Sequence, residues 1–590
     1  MKNFFKMMFA SMLGTFLALF AASVMFFLFV LIVVAAVEPQ KDVSINENTI
    51  LQIRLDYPIA ERTPEKQISQ FSFTSFRFSS QLGLNDIISN IRKAKHDPNI
   101  KGIWLDLNGF SAGGYATVEA IRNALIDFKS SKKFIIAYGD IVVQKALYLA
   151  SISDKIYVSQ PGLIELKGLS TEVPFFKKTL EKLEIEAQIF HYGKYKSAIE
   201  PFRFDKMSDP YRYQMTTLLN SMYDHLIFNT GSARNIDTDS LKMIADNLLV
   251  RDPESAMKYR LIDGVYYRDQ VVSEIKKRIG VGEDKDLNTI TIQKYNNVVD
   301  PGRKFSENKI AVIYAEGDVV SGSGDDNSIG AENIPEALRK AAKDKRVRAI
   351  VLRVNSPGGD ALTSDLIWRE VQLAKKKKPV IVSMGSVAAS GGYYISTGAD
   401  VIVAEPNTIT GSIGVFGIIP NMEKFFSNKL GITFDRVKTG KYSDFMTINR
   451  PFTAQEKMFI QNEIDKIYKT FVGKVAEGRK KTFAQIDEIA QGRVWTGLQA
   501  KQNGLVDEIG GLEVALKIAA SRARLKEYSI VELPVMKDFV ETLLEDFSAE
   551  ASEYWLKAKL GSNYAYYKQL DYVTNASGIQ ARLPVDPDIK

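Results

Sequence analysis

A chain of 590 residues exceeds one ordinary domain, and 45% apolar with 25% charged residues is the composition of folded protein rather than of disorder. The absence of cysteine excludes disulfides, thiolate nucleophiles and cysteine-ligated zinc. A net charge of +7 from 77 basic and 70 acidic side chains is too dilute an excess to argue for a nucleic-acid partner.

The first element is Met7 to Val37, a run without a charged residue that follows Lys2 and Lys6 and ends at Glu38-Pro39. It exceeds the roughly 20 residues a spanning helix needs, and it is longer than the apolar region of a secretory signal. Residues 7–37 therefore predict an uncleaved transmembrane anchor, with a cleaved signal as the competing reading. The lysines ahead of it predict a cytoplasmic N-terminus for residues 1–6 and place everything after Val37 on the outer face of a membrane.

From residue 45 onward the apolar periods alternate between strand and helix. Strands are predicted at Ile50 to Leu55, Gly102 to Leu107 and Phe134 to Tyr138, with helices at Leu84 to Lys95 and Thr117 to Phe128. The order then recurs: strands at Ile310 to Tyr314, Ala349 to Val354 and Val380 to Met384, with helices at Ile334 to Lys343 and Ser364 to Ala374. Such alternation predicts an α/β fold with a largely parallel sheet, present twice.

One offset tests the duplication. A shift of 247 carries Asp97 onto Asp344, Asn108 onto Asn355 and Arg122 onto Arg369; a shift of 246 pairs Gly139 with Gly385 and Tyr148 with Tyr394. The shift of 247 returns at Gly193-Lys194-Tyr195 on Gly440-Lys441-Tyr442, and 244 matches Leu261 and Asp263 to Leu505 and Asp507. Two copies of one unit follow, at 38–300 and 301–535, joined through the turn signal Asp300-Pro301-Gly302 and followed by an extension at 536–590.

The copies differ where chemistry is at stake. Copy two reads Ala389-Ser390-Gly391-Gly392 directly after a buried strand, whereas copy one has Gln144 in place of Ser390. A serine at such a turn is exposed at a strand end, and the Gly391 amide is positioned to hold an oxyanion. Lys196 of copy one faces Ser443 of copy two, so each copy keeps one of two groups that a Ser-Lys site requires. Lysine serves as the base when burial or neighbouring positive charge lowers its pKa from about 10.4 toward neutrality. Asn355-Ser356-Pro357-Gly358-Gly359 follows a strand and precedes a helix; its glycines permit close backbone approach, and their amides suit developing negative charge.

Ser356-Pro357-Gly358-Gly359, Ala389-Ser390-Gly391-Gly392, Thr410-Gly411-Ser412-Ile413-Gly414-Val415 and Gly193-Lys194-Tyr195-Lys196-Ser197-Ala198 together resemble the long, duplicated bacterial signal peptide peptidase, or protease IV, family. The resemblance runs from the anchor to about Ala520. It implies two tandem Clp protease/crotonase-like α/β domains behind the anchor. Ser390 would be the nucleophile, Lys196 its base, and Ser412 a hydroxyl that holds the lysine. Gly358 or Gly359, with Gly391, would be the oxyanion donors. It further implies a homotetramer in the bacterial inner membrane with its bulk on the periplasmic side, acting on signal peptide remnants and other unfolded or membrane-derived peptides without cofactor or metal.

Other readings are retained. An inactive membrane scaffold of the same fold is the alternative, because copy one already lacks a nucleophile; an acyl-CoA enzyme rests only on crotonase kinship. Ser412 reads equally as a turn residue bonding its own backbone. Lys375 to Lys378, at a helix end, reads as a solvated face. The tyrosines Tyr564, Tyr566 and Tyr567 suit a subunit interface or a lipid contact.

Overall fold

The computed structural model describes residues 2–36, 45–64, 81–300, 305–325 and 327–536, with 71–72, 77–78, 302, 556, 559–561, 564 and 580–582. Tyr566 and Tyr567 lie outside the described residues, as does Val37 at the end of the expected anchor. Helix α1, Lys2–Ala36, carries the apolar run, and Met7, Phe9 and Phe16 along it are exposed.

Copy one builds β1 (Thr49–Arg54), α2 (Leu84–His96), β2 (Ile100–Asp106), α3 (Tyr115–Lys129), β3 (Phe134–Val142), α4 (Gln144–Ala150) and β4 (Lys155–Ile164). It continues with β5 (Glu186–Tyr192), α5 (Asp209–Arg234), β6 (Gly264–Val265) and β7 (Thr289–Thr291). Its sheet has the order β6-β4-β3-β2-β1-β7, and all five pairings are parallel. Nearly continuous apolar strands such as Ile103-Trp104-Leu105 are what a parallel sheet covered on both faces demands.

Copy two repeats the plan with β8 (Lys309–Glu316), β9 (Asp318–Val319), α6 (Asn333–Lys343), β10 (Val347–Ser356), β11 (Gly358–Asp360), α7 (Ala361–Lys375), β12 (Val380–Ala389) and α8 (Gly391–Ser396). There follow β13 (Val401–Ala404), β14 (Ile409–Gly411), β15 (Val415–Asn421), α9 (Ala454–Arg479), β16 (Val494–Thr496), β17 (Glu508–Ile509), β18 (Ser529–Leu533) and, near the C-terminus, β19 (Gln580–Arg582). The main sheet runs β16-β14-β12-β10-β8-β18, with β13 beside β12 and β17 beside β13. Every predicted strand and helix is present. The strand predicted to end at Met384 runs on to Ala389 and so reaches Ser390 directly.

The duplication extends to polar contacts that a shared ancestor explains and chance does not. Lys133 Nζ donates to the carbonyls of Ala94 and Asp97 at the end of α2, and Lys378 Nζ to those of Ala341 and Asp344 at the end of α6. Asp154 accepts from the Ile135 amide and Asp400 from the Val380 amide; Asp263 and Asp507 each bind an arginine, Arg234 and Arg479. Lys378 is thus a cap for helix carbonyls rather than part of the solvated face that its lysine-rich neighbourhood suggested, and Lys133 does the same work in copy one.

The two copies are bound by side chains that cross between them. Buried Arg353 of β10 pairs with Glu61 at 2.8 and 3.2 Å and also donates to Ser383 Oγ and the Met384 carbonyl. Removing one member of a buried pair of this kind costs roughly 3–5 kcal/mol, because the other charge is left alone in a low-dielectric interior. Thr117 of α3 meets Ser386 of β12 at 3.0 Å. A third sheet, which includes β9-β11-β19-β15-β5, draws strands from both copies.

Candidate active site

Ser390 sits where β12 turns into α8, with φ 53° and ψ −112°. A side-chain-bearing residue enters that region only against strain, which the surroundings must over-determine. Here the Ser390 amide donates to the Gly411 carbonyl at 2.8 Å, while its own carbonyl accepts from the Tyr394 amide at 2.8 Å. Such a sharp strand-to-helix turn projects Oγ past the strand end, yet Ser390 is buried and not exposed as the turn alone predicts, because Lys196 and the Gly411–Gly414 segment close over it.

Lys196 arrives from the other copy. Strand β5 runs antiparallel to β15 through seven pairs, from Glu186↔Asn421 to Tyr192↔Val415, and the turn that follows delivers the lysine to Ser390. Close packing fixes that turn. At Gly193, φ +110°, a Cβ would meet the Gln491 carbonyl oxygen at 2.5 Å; at Gly492 it would lie 2.6 Å from the Lys196 Cβ. The Tyr195 amide donates to the Gln491 carbonyl at 2.8 Å. Gln214 of α5 completes the clamp, donating to the Tyr195 carbonyl and to Ser197 Oγ, and accepting from the Val494 amide.

The amine Nζ of Lys196 is 2.8 Å from Ser390 Oγ, 3.1 Å from Ser412 Oγ and 3.2 Å from the Ser412 carbonyl oxygen. Lys196 is 2% exposed, and burial pushes its pKa well below 10.5. The Phe416 ring, with its centroid 5.8 Å from Nζ, forms part of the enclosure. A neutral amine has two N–H groups and one lone pair. The two oxygens of Ser412 accept the N–H groups, which leaves the lone pair for the Ser390 hydroxyl proton, the geometry a general base requires. Ser390 Oγ is also 3.4 Å from the Gly414 carbonyl oxygen.

The expected oxyanion glycines lie in two groups. Gly391 follows Ser390 in the chain, and the Gly358-Gly359 loop is brought beside it by the β10–β12 pair Ser356↔Ala388. Gly358 (φ +101°) and Gly359 (φ +153°) adopt backbone that glycine supplies most readily. The Gly358 amide donates to Ser356 Oγ at 3.1 Å, so its use as an oxyanion donor requires that bond to be exchanged. Strand β19 lies between this loop and β15, with pairs Gly358↔Arg582 and Phe416↔Gln580, and Arg582 reaches Asp318 at 2.8 Å.

The matching positions of each copy carry no such chemistry. In copy one, Gln144 Oε1 accepts from the Lys167 and Gly168 amides and its Nε2 donates to the Gly168 carbonyl, so it staples a loop. In copy two, Ser443 Oγ donates to the Gly440 carbonyl in an exposed turn. His191 contacts Arg203, and His225 contacts Asn229 and Glu119, rather than Ser390. Among the described residues no cluster of acidic or imidazole side chains has metal-binding geometry. Gln214, Gln491 and Gly492 were not anticipated, since nothing local in the sequence marks a residue that closes on a lysine from a distant segment.

The model of "Peptidase family S49" matches residues 127–282 and again 372–526, once in each copy. Protease 4 of Haemophilus influenzae is 34% identical over 559 residues, 91% of this chain and 91% of that protein. Protease 4 of Salmonella typhi is 37% identical over 76% of this chain and 73% of its own length. The chloroplastic serine protease SPPA of Arabidopsis thaliana is 34% identical over 86% and 75%. A ClpP1 mutant from Listeria monocytogenes covers 35% of the chain at 17% identity and a TM-score of 0.24, too slight a likeness to bear on the fold. The paired matches, one per structural copy, and the relatives spanning nearly the whole chain establish that this protein belongs to peptidase family S49.

Proposed function

We propose that the protein is a membrane-anchored serine endopeptidase in which Ser390 attacks the peptide carbonyl and Lys196 is the general base. The observation that carries this reading is the 2.8 Å contact between Ser390 Oγ and a buried lysine amine supplied by the opposite copy. In the acylation step, the hydroxyl proton passes to Nζ as the Oγ–C bond forms. The resulting ammonium gives a proton to the leaving amine, and water then releases the acyl group by the same route. Gly391 and the Gly358-Gly359 loop are assigned to the oxyanion. The three relatives named above are proteases, which agrees with this chemistry.

Signal peptide remnants and other unfolded or membrane-derived peptides are the proposed substrates. The cleft filled by β19 supports an extended substrate, since main-chain pairing between β11 and β15 is how a sheet edge holds a peptide without regard to most side chains. Helix α1 contains a stretch, Lys6–Met25, long and apolar enough to cross a membrane, which supports single-pass anchoring in a bacterial inner membrane with the two copies outside the cytoplasm. A homotetramer is proposed on the repeat itself: the stretch of copy two that corresponds to β5 forms no strand and exposes Ile432, Phe434 and Val437, as a head-to-tail ring requires of an unfilled junction. The reading is tested by purifying the full chain and its Ser390→Ala and Lys196→Ala variants and following cleavage of a fluorogenic peptide. Both substitutions should abolish turnover; substantial activity in either overturns the mechanism.

A further inference from the structure

A cavity of about 500 Å³ opens in copy one at the position that corresponds to the Ser390 site. Its walls include Phe110, Tyr115, Val143 and Met222 of copy one, closed from the other side by Asn407 and Ile409 of copy two. The volume falls in the range of roughly 300–1,000 Å³ typical of small-ligand sites. Gly113 and Gly114, which also line it, are this copy's glycine pair; Gly113 has φ +88° and open space where a Cβ would stand. Gln144 stands where the nucleophile would be, and its amide is committed to the Lys167-Gly168 loop. The cavity therefore lies where the repeat places the nucleophile site and lacks the group that cuts.

Asn407 bears on what the cavity would take. Its side chain is 2% exposed, and neither Oδ1 nor Nδ2 has a hydrogen-bond partner. A buried donor and a buried acceptor left unmet are each unfavourable, so a group that satisfies both is favoured there. A carboxamide presents one acceptor and one donor side by side. Its complement is another amide, whose N–H and C=O meet both, whereas an acyl chain meets neither. No carboxylate lines the cavity; beside its aliphatic and aromatic side chains the walls carry Ser111, Ser386 and Lys145, whose amine donates to the Gly113 carbonyl and lies over the Tyr115 ring.

We propose that this cavity is a second peptide-binding site, which takes an apolar side chain of an extended segment against Phe110, Val143, Met222 and Ile409 and pairs that segment's amide with Asn407. It binds without cleaving. On a two-copy peptidase such a site would hold one part of a long apolar substrate while another part reaches Ser390; the binding itself does not depend on the chemistry proposed for Ser390.

The test uses the full-length Ser390→Ala protein in lipid nanodiscs and a neutral leucine-rich peptide carrying a photoreactive leucine. After irradiation, mass spectrometry should find adducts in residues 110–116, at Val143 or at Met222, displaced by excess unlabelled peptide. Asn407→Leu should weaken that labelling at least tenfold in peptide concentration, and Met222→Trp, which fills the cavity, should remove it; thermal melts confirm that both variants fold. Adducts confined to the surroundings of residue 390, labelling indifferent to both substitutions, or exclusion of the peptide by a photoreactive fatty acid that labels the cavity would each overturn the proposal. Hydrolysis of the same peptide by the unsubstituted protein is read separately, so a failure at Ser390 and a failure at this cavity are distinguishable.

Discussion

Replacing Ser412 by alanine removes one hydroxyl and leaves Ser390 and Lys196, the two groups of the proposed dyad, in place. In its neutral form the Lys196 amine has two N–H groups, for which Ser412 Oγ at 3.1 Å and the Ser412 carbonyl at 3.2 Å are the acceptors. Without Oγ, one N–H is left unmet inside a site that is 2% exposed, and the amine is free to rotate its lone pair away from Ser390. An unmet buried donor costs about 1–3 kcal/mol, and each 1.4 kcal/mol is tenfold in rate, so kcat/KM should fall roughly 5- to 150-fold. The backbone contributes little to this number: Ser412 already has φ +49°, and alanine tolerates that region about as poorly. Peptide hydrolysis measured from pH 5 to 9 on the purified full chain is the assay. The acid limb should stay in place or move to lower pH, because an acceptor of N–H bonds favours the ammonium and its loss does the reverse. A drop of less than twofold, or an acid limb displaced upward, would refute the reasoning.

Lys196→Met should raise thermal stability at pH 7: the folded pKa is depressed below the unfolded value of 10.5, so folding sheds a proton and the wild-type penalty fades as pH rises toward 10.5. Melting curves across that range check it, and a gain that grows with pH would contradict it. Glu405 is buried, with one carboxylate oxygen unpartnered; burial and then the Glu119 charge push it up to about 8, against the pull of Arg353. Its folded form therefore keeps a proton that the unfolded chain releases near 4.5, so stability is lost as pH rises through about 8. Glu405→Gln should stabilise by roughly 2–5 kcal/mol at pH 9 and by little at pH 5, measured by denaturant titration. Deleting residues 580–590 removes β19 from between β11 and β15 and should raise kcat/KM for a short peptide roughly tenfold, the worth of one or two backbone hydrogen bonds and an exposed ion pair; unchanged kinetics would show that the strand does not compete.

The parallel sheets, their helices and the repeat were legible because they rest on local periods and on residues that each copy needed separately, such as Asp97 with Asp344 and Asp263 with Asp507. The nearness of Lys196 to Ser390 was legible for a different reason. Each is missing from the other copy, so only a contact between copies leaves a use for both. What stayed hidden depends on tertiary closure. The β5–β15 ladder joins segments more than two hundred positions apart, Gly492 is required only because Lys196 lies against it, and Gln214 reads as an ordinary helix residue until its amide is seen bridging Tyr195 and Val494. Lys378 misled through its neighbours, since a basic run at a helix end describes solvated lysines and carbonyl caps equally well.

The central claim is that a buried amine from copy one activates a hydroxyl of copy two. Reacting the full chain with a serine-directed fluorophosphonate, and comparing it with the Lys196→Met protein by mass spectrometry, tests that claim most directly. Rapid modification of Ser390 in the first and its near loss in the second is the expected result; a label on another residue, or equal labelling of Ser390 in both proteins, would contradict it.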